Sequence, residues 1–227
     1  RPEHADRGSD PASPALDRDM DIPKALNLGS GKNFRQDCLN VDVDPRWRPD
    51  IVADLAAPFP GDERVFATQR FGAVRIEPGA FDSIVALDVL EHVADLPTFM
   101  RNCVELLRVD GVLTALVPYD LSHGAWQDPT HVRAFNERSW LYYTSWFWYL
   151  GWTEARFELD ELRFNLSELG RRLEGEGADE ATILRTPRAV DSMLVELRKV
   201  ALTDADRRAL AAHVPQPGRE RTALATS

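Results

Sequence analysis

The 227-residue sequence predicts an α/β fold, in which a mostly parallel sheet of seven strands carries helices on both faces. Three observations lead to this prediction. Short apolar runs alternate with helical patterns from about residue 25 to residue 120, several runs are apolar over most of their length, and the first ends in a glycine-rich loop. Strands that are apolar throughout are buried on both faces, as in a parallel sheet covered by helices.

Seven segments have the length and composition of strands, and the last two alternate apolar and polar side chains. They are Ala25–Leu28, Leu39–Val43, Ile51–Leu55, Phe81–Leu87, Val112–Val117, Glu158–Leu166 and Ser192–Val200. Apolar residues at helical spacing predict a helix over Leu96–Leu107, and a second helix is expected to begin at Val89–Val93. A polar loop is expected over Gly170–Ala181.

The strand and helix patterns are confined to the middle of the chain. We expect a single domain over residues 21–203, between a disordered leader at 1–20 and a tail at 204–227. The leader is rich in Pro, Asp and Ser and has no hydrophobic period, so it cannot contribute a buried face.

Composition changes inside this domain at about Trp126. Of the 20 aromatic side chains, 12 lie between Trp126 and Phe164, where they form either an outer layer of the core or the wall of a pocket. We therefore expect a substrate-facing region at about 119–166, followed by a polar insert at about 170–188.

Charge and composition exclude several classes of protein. The net charge is −10 without a long run of Lys or Arg, which argues against a nucleic-acid partner. No apolar run approaches the ~18 residues of a membrane span. Two cysteines cannot form a disulfide framework and fit a reducing compartment, so we expect a cytoplasmic protein.

The loop LNLGSG at Leu26–Gly31 predicts a nucleotide site, because glycines let the backbone pass close to a ligand. A phosphate-binding P-loop fails at Asn33, where Ser or Thr is needed, and a dinucleotide fingerprint fails at Phe34, where glycine is needed. The acidic strand end Asp42 follows Gly31 by only 11 residues. This spacing suits a ligand without a pyrophosphate.

Four motifs in order resemble class I S-adenosylmethionine (SAM)-dependent methyltransferases, which have a Rossmann-like sheet. They are LNLGSG at 26–31, NVDVD at 40–44, VADL at 52–55 and FDSIVALDVLEHV at 81–93. The resemblance covers about Ala25–Trp140 and is closest to a subgroup in which the glycine loop runs quickly into NVD. The segment DPTHVRAF at 128–135 is similar to one in methyltransferase-like proteins of bacterial polysaccharide and natural-product pathways.

The resemblance implies SAM as cofactor and S-adenosylhomocysteine as product. Gly29 and Gly31 would leave room for the methionine part, Asp42 would accept from both ribose hydroxyls with Asp44 as its alternative, and Asp54 would accept from the adenine amino group. Asp54 could instead cap its own loop. The complete predicted cofactor set is Asn27, Gly29, Ser30, Gly31, Asp42, Val43, Asp54, Leu55, Leu87 and Asp88.

Methyl transfer to a hydroxyl needs a base or a metal, because the hydroxyl pKa is high. The polar loop after the fifth strand offers His131 as first choice of base and His123 as second, with Asp128 to orient an imidazole. Arg133 could hold an acidic or phosphorylated substrate. The alternative is a loop locked by its own hydrogen bonds, with a turn at Asp128. The predicted substrate-binding side chains are Trp126, Arg133, Tyr119 and Tyr143.

A metal site is the second possibility for activating a hydroxyl. On a helix, Asp88, Glu91 and His92 would share one face, which resembles the ExxEH motif of some metal-dependent methyltransferases. The first acid is one carbon shorter here, so no metal is favoured. Asp88 could instead cap the following helix.

The sequence thus predicts a SAM-dependent methyltransferase that O-methylates a hydroxyl of a sugar or of a glycosylated or natural-product metabolite. The acceptor would be a small molecule or a glycan, and exposed aromatic side chains would favour a homodimer. N-methylation of an amino sugar is an alternative within the enzyme class. A SAM-binding partner or scaffold without catalysis is the alternative from another class.

Overall fold

The computed structural model of the chain describes residues 22–59 and 64–213. Within them, seven strands form one sheet in the order β3-β2-β1-β6-β7-β9-β8. Its strands are β1 (Ala25–Leu28), β2 (Leu39–Asp42), β3 (Ile51–Val52), β6 (Phe81–Leu87), β7 (Leu107–Pro118), β8 (Ala155–Leu166) and β9 (Val190–Ala201). The pairs from β3 to β7 are parallel, whereas β9 is antiparallel to both β7 and β8. The predicted fold class is confirmed.

The remaining elements surround this sheet. The helices are α1 (Leu96–Leu106), α2 (Gly124–Gln127), α3 (Glu168–Gly175), α4 (Glu180–Arg185) and α5 (Asp204–His213). A separate antiparallel hairpin consists of β4 (Val65–Thr68) and β5 (Gly72–Arg75), and 3-10 turns lie at Pro45–Trp47, Ser139–Tyr142 and Phe147–Leu150. No helix in the described part of the chain has the length and apolar character that crossing a membrane requires.

The strand order places a crevice beside β1. The chain leaves β1 toward β2 and β3 on one side and returns to β6 on the other. Ligands of open α/β sheets bind outside the carboxyl ends of the strands at such a reversal. The topology therefore points to the segments that follow β1, β2 and β6.

Helix α1 forms as predicted, one residue shorter at its end. Asp95 caps it, because its side chain accepts a hydrogen bond from the backbone N–H of Thr98. The inward face carries Phe99, Met100 and Cys103, all fully buried. This apolar face packs the helix on the sheet and accounts for most of its stability.

The helix expected at Val89–Val93 is a turn instead. The turn is closed by hydrogen bonds from the N–H of His92 to the Val89 carbonyl and from Val93 to the Leu90 carbonyl. A helix that began here would have met Pro97, which lacks the N–H that an interior position must donate. The chain makes a turn and then begins α1.

Other boundaries also differ from the prediction. β3 covers only Ile51–Val52, and β7 begins at Leu107 rather than at Val112. The hairpin of β4 and β5 was not expected. The leader at 1–20 and residues 214–227 of the predicted tail lie outside the described residues, whereas 204–213 is helical.

The polar loop predicted over Gly170–Ala181 was wrong, because the segment folds into α3 and α4. Ser167 and Asp179 cap these helices by accepting from the N–H groups of Gly170 and Thr182. These were capping signals in the sequence that a reading by composition overlooked.

A buried ion pair joins the hairpin to the edge of the sheet. Arg70 lies 2.6 Å from the carboxylate of Asp50, and its guanidinium stacks over the rings of Phe34 and Phe71. The same carboxylate accepts from the backbone and side chain of Asn40. Burial raises the pKa of Asp50, but these hydrogen bonds outweigh it and hold the pKa below the ordinary value.

Candidate active site

A cavity of about 510 Å³ lies at the reversal beside β1. Its volume is within the range of small-molecule sites. Seven of the ten predicted cofactor residues line it: Gly29, Gly31, Asp42, Val43, Asp54, Leu55 and Asp88. Trp47, Val89 and His92 also line the cavity and were not predicted as cofactor contacts.

The glycine loop passes close to the turn that follows β6. Gly29 has a φ of 61°, and a Cβ there would lie 2.5 Å from a methyl of Val89. Gly31 also has positive φ, at 43°, and its N–H donates to Asp42 at 2.7 Å. Both glycines are therefore required by backbone conformation, and Gly29 also by lack of space.

Asp42 is fixed at the end of β2 by the backbone. One carboxylate oxygen accepts from Gly31 N–H and the other from Asp44 N–H, at 2.7 and 2.8 Å. Each oxygen of a carboxylate accepts more than one hydrogen bond, so both retain acceptor capacity. Asp44 instead caps the 3-10 turn and pairs with Arg46 at 2.6 Å, and it does not line the cavity.

Asp54 and Leu55 form another part of the cavity lining. The carboxylate of Asp54 accepts from the N–H of Ala56, so the loop-capping role is present. Leu55 is buried and offers its backbone beside that loop.

Three predicted cofactor residues do not line the cavity. The side chain of Asn27 donates to Asn40 and to the carbonyl of Asn33, which ties β1 to β2 and the glycine loop. Ser30 is buried, and Leu87 lines a second cavity of about 330 Å³ on the other side of Gly29. Cofactor contact by these three side chains stays a prediction.

Asp88 ends β6 with a φ of 54°, a conformation that non-glycine residues seldom adopt. It lines the cavity, and its N–H donates to the carbonyl of Leu116. Burial raises the pKa of its carboxyl group, and the nearby imidazoles of His131 and His92 oppose that rise. It does not cap α1, because Asp95 does so.

Two imidazoles meet at the rim of the cavity. The rings of His92 and His131 pack edge to face with centroids 4.6 Å apart, although 38 residues separate them. His131 Nδ1 lies 3.1 Å from the carbonyl of Ala125, to which it can only donate. His92 Nδ1 lies 3.0 Å from Thr130 Oγ1. The base predicted at His131 therefore has a second imidazole beside it.

Asp128 contacts Thr130 rather than the side chain of His131. Its carboxylate accepts from the N–H of Thr130 at 2.8 Å and from the hydroxyl at 2.6 Å. These hydrogen bonds hold the pKa of Asp128 below the ordinary value. The Thr130 hydroxyl, having donated to Asp128, accepts from Nδ1–H of His92. Asp128 thus orients His92 through Thr130, a residue that the sequence prediction missed.

Glu91 lies beneath these rings. Its side chain is 1% exposed, and neither carboxylate oxygen has a hydrogen-bond partner among the described residues. Burial raises the pKa of Glu91 to about 7, and the neighbouring carboxylate of Asp88 adds to the rise. One ligand atom each from Glu91, His92 and His131 lies within 4.8 Å of the others.

The predicted metal set is therefore corrected in one respect. Asp88, Glu91 and His92 do not share a helix face, because they lie on a turn. The grouping that the fold produces has His131 in place of Asp88.

The other predicted side chains lie away from the cavity lining. His123 precedes α2 and is exposed, and Trp126 is 66% exposed with its indole donating to the carbonyl of Asp120. Arg133 donates to the carbonyls of Val93 and Ala94, both at 2.8 Å, which straps its loop to the turn after β6.

Tyr119 and Tyr143 are buried. Tyr119 donates to Glu137, and Tyr143 packs on Trp152. Neither lines the cavity, and substrate contact by Trp126, Arg133, Tyr119 or Tyr143 stays a prediction.

Comparison with known proteins gives the following matches. Residues 27–115 match the family described as Methyltransferase domain. A stretch of 68 residues is 40% identical to the polyketide synthase ThaQ of Burkholderia thailandensis, and this stretch is 28% of the chain but only 3% of the synthase.

Two solved structures illustrate the similarity of fold. A SAM-dependent methyltransferase from Archaeoglobus fulgidus is 14% identical, with a TM-score of 0.49 over 78% of this chain and 86% of the other. A methyltransferase dependent on S-adenosylmethionine from Mesorhizobium loti is 13% identical, with a TM-score of 0.47 over 78% of this chain and 91% of the other.

Proposed function

The chain is a class I SAM-dependent methyltransferase, and from this premise we propose that it methylates a hydroxyl of a sugar or of a glycosylated or natural-product metabolite. The observation that carries the proposal is the pair of imidazoles, His92 and His131, at the rim of the cofactor cavity. A hydroxyl acceptor needs a group that takes its proton, and neutral imidazole is suited to that task near neutral pH.

The cavity fits the cofactor. Asp42 is held by two backbone N–H groups and keeps acceptor capacity for the ribose hydroxyls. Gly29 leaves space beside Val89 that a Cβ would fill, which suits the amino-acid part of SAM. Asp54 and Leu55 line the part of the cavity assigned to adenine. When bound, SAM supplies a methyl group on a sulfonium, which is a good leaving group.

The imidazoles are oriented for proton transfer. Because Nδ1 of each ring is engaged by Ala125 or Thr130, the lone pair of each ring is on Nε2. One of these nitrogens takes the hydroxyl proton as the new O–CH3 bond forms and the S–CH3 bond breaks. The proton then leaves to solvent, and S-adenosylhomocysteine carries the sulfur.

A sugar or natural-product acceptor is supported from two directions. The DPTHVRAF segment, which supplies Asp128, Thr130 and His131, resembles methyltransferase-like proteins of polysaccharide and natural-product pathways. The matched stretch of ThaQ belongs to a polyketide synthase.

N-methylation of an amino sugar is the second candidate. Three carboxylates, Asp88, Glu91 and Asp128, lie near the imidazole pair and would attract a protonated amine. An amine needs a weaker base than a hydroxyl, so this reaction would tolerate loss of one imidazole.

The test is transfer of labelled methyl from SAM to a panel of neutral sugars, glycosylated metabolites and amino sugars. For a hydroxyl acceptor, we expect His92→Ala with His131→Ala to lower kcat by about 10²–10⁴-fold while S-adenosylhomocysteine affinity stays within a few-fold. An unchanged rate in the double variant would contradict the base. A panel without any methylated product, together with a stoichiometric protein partner, would favour the scaffold alternative.

A further inference from the structure

We propose that Glu91, His92 and His131 form a binding site for a divalent first-row transition-metal or zinc ion. The site would lie at the rim of the cofactor cavity, which His92 also lines. This inference rests on the proposed function, because the ion would act on the acceptor hydroxyl at the same place.

The first argument is convergence. One ligand atom of each side chain lies within 4.8 Å of the others, although two come from the turn after β6 and the third from the loop after α2. The backbone maintains this approach, since the N–H of Val132 donates to the carbonyl of Glu91 at 2.8 Å. A single ion at ordinary bond lengths of about 2.0–2.2 Å could contact all three atoms after small side-chain adjustments.

The second argument is the buried carboxylate. Glu91 is 1% exposed, and in the described part of the chain neither of its oxygens has a hydrogen-bond partner. A buried carboxylate without partners is unfavourable, and native structures nearly always satisfy such a group. The guanidinium of Arg133 does not supply the missing partner, because its NH2 group donates to the carbonyls of Val93 and Ala94.

The third argument is the orientation of the rings. His131 donates from Nδ1 to the Ala125 carbonyl, and His92 donates from Nδ1 to Thr130, whose own hydrogen goes to Asp128. Both rings therefore present Nε2 as an acceptor. Histidines that bind metals are commonly held this way, with the second nitrogen donating to a carbonyl or a carboxylate-linked group.

Together these groups form a site of acceptors. Two neutral imidazole nitrogens and a carboxylate converge, and none of them donates a hydrogen bond to another among the described residues. Mixed imidazole and carboxylate ligands suit Mn²⁺, Fe²⁺, Co²⁺ and Zn²⁺ better than the oxygen ligands of Mg²⁺ and Ca²⁺ sites would. Asp88 lines the cofactor cavity and is not part of this grouping.

Three protein ligands leave coordination positions open, and one of them could take the acceptor oxygen. An ion bound there lowers the pKa of the hydroxyl, so the proton passes to solvent while the oxygen forms its bond to the methyl carbon. In the ion-bound protein, His92 and His131 are ligands and the ion performs the activation assigned above to a free imidazole.

The experiment is calorimetric titration of the chelator-treated protein with Mn²⁺, Co²⁺ and Zn²⁺, with no SAM present. We expect one ion per chain. Glu91→Gln, which keeps the shape of the side chain, and His131→Ala should each weaken binding by more than the ~10–100-fold that loss of an outer hydrogen bond costs. Thr130→Val should fall within that range, and Thr130→Ser should restore binding. His213→Ala is the matched control, because His213 stacks on Trp148 outside the grouping, and it should bind as the wild type does.

Absence of binding for all three ions would overturn the proposal, and so would binding that His131→Ala leaves unchanged. S-adenosylhomocysteine titration of the same variants shows that each is folded. The two proposals fail separately. Methyl transfer that persists in chelator, with no ion bound, would reject the metal site and leave the methyltransferase function intact. A wild type that binds ions but not S-adenosylhomocysteine would do the reverse.

Discussion

The cofactor side and the acceptor side of the cavity are constructed differently. On the cofactor side, Gly29, Gly31 and Asp42 follow directly from strand ends, and backbone N–H groups hold the carboxylate. On the acceptor side, His92 and His131 come from two separate loops and are held by side-chain hydrogen bonds across them. The first arrangement is local in sequence, whereas the second depends on long-range packing.

The difference extends beneath the surface. Under the cofactor side lies a buried polar network in which Asp50 binds Asn40 and Arg70. Under the acceptor side, Arg133 straps the loops to each other through the backbone carbonyls of Val93 and Ala94. We therefore expect substitutions on the two sides to affect different quantities: stability and cofactor affinity on one side, turnover on the other.

The largest effect is expected from Arg70→Met. This change leaves the carboxylate of Asp50, which is 8% exposed, without its charged partner. Removing one member of a buried pair costs about 3 kcal/mol of the free energy of unfolding. Urea unfolding measures it, with Arg108→Met as control, because the pair of Arg108 and Asp82 is exposed and should cost less than ~1 kcal/mol. Equal losses in both variants would contradict the role of burial.

Asp42→Ala should have the next largest effect. Loss of two charge-assisted hydrogen bonds to the ribose would weaken S-adenosylhomocysteine binding by about 100-fold or more. Asp44→Ala is the matched control, because its carboxylate binds Arg46 outside the cavity, and it should change affinity by no more than a few-fold. Calorimetric titration distinguishes the two carboxylates, and a larger loss for Asp44→Ala would reverse their assignment.

A smaller effect on a different quantity is expected from Arg133→Met. The variant keeps the apolar stem but removes the hydrogen bonds to the Val93 and Ala94 carbonyls, so the loop bearing His131 should be held less firmly. We expect kcat to fall about 10-fold, because misplaced reacting groups slow the transfer, while S-adenosylhomocysteine affinity is nearly unchanged. Steady-state kinetics with calorimetry measures both, and a parallel loss of affinity would show that the two sides are not separate.

The smallest effect is the dependence of stability on acid. The folded-state pKa of Asp50 is depressed, so its contribution to stability is present above the ordinary pKa of Asp, about 3.9, and is lost as pH falls through the lowered value. In Arg70→Met, burial without the guanidinium should raise that pKa. Its acid-induced loss of stability should then begin at higher pH than in the wild type. Urea unfolding at intervals from pH 6 to pH 3 measures this, and superimposable pH profiles would contradict it.

The same contrast explains which predictions from sequence succeeded. The glycine loop and the acidic end of β2 were recognisable because parallel strands place their carboxyl ends at one edge of the sheet. The helix expected at Val89–Val93 was wrong, because local periodicity does not register that Pro97 restarts the chain into α1. Residues α3 and α4 contain were assigned to a loop because composition outweighed the caps at Ser167 and Asp179.

The sequence by itself determined the strands of the sheet, the glycine loop and the carboxylate at the end of β2, since each depends on residues close together in the chain. Only the tertiary structure decided that His92 meets His131, that Thr130 links Asp128 to His92, and that Glu91 lies buried beside them. The physical reason is that a pairing across 38 residues is set by how two loops pack on one sheet edge, which no local period or motif spacing encodes.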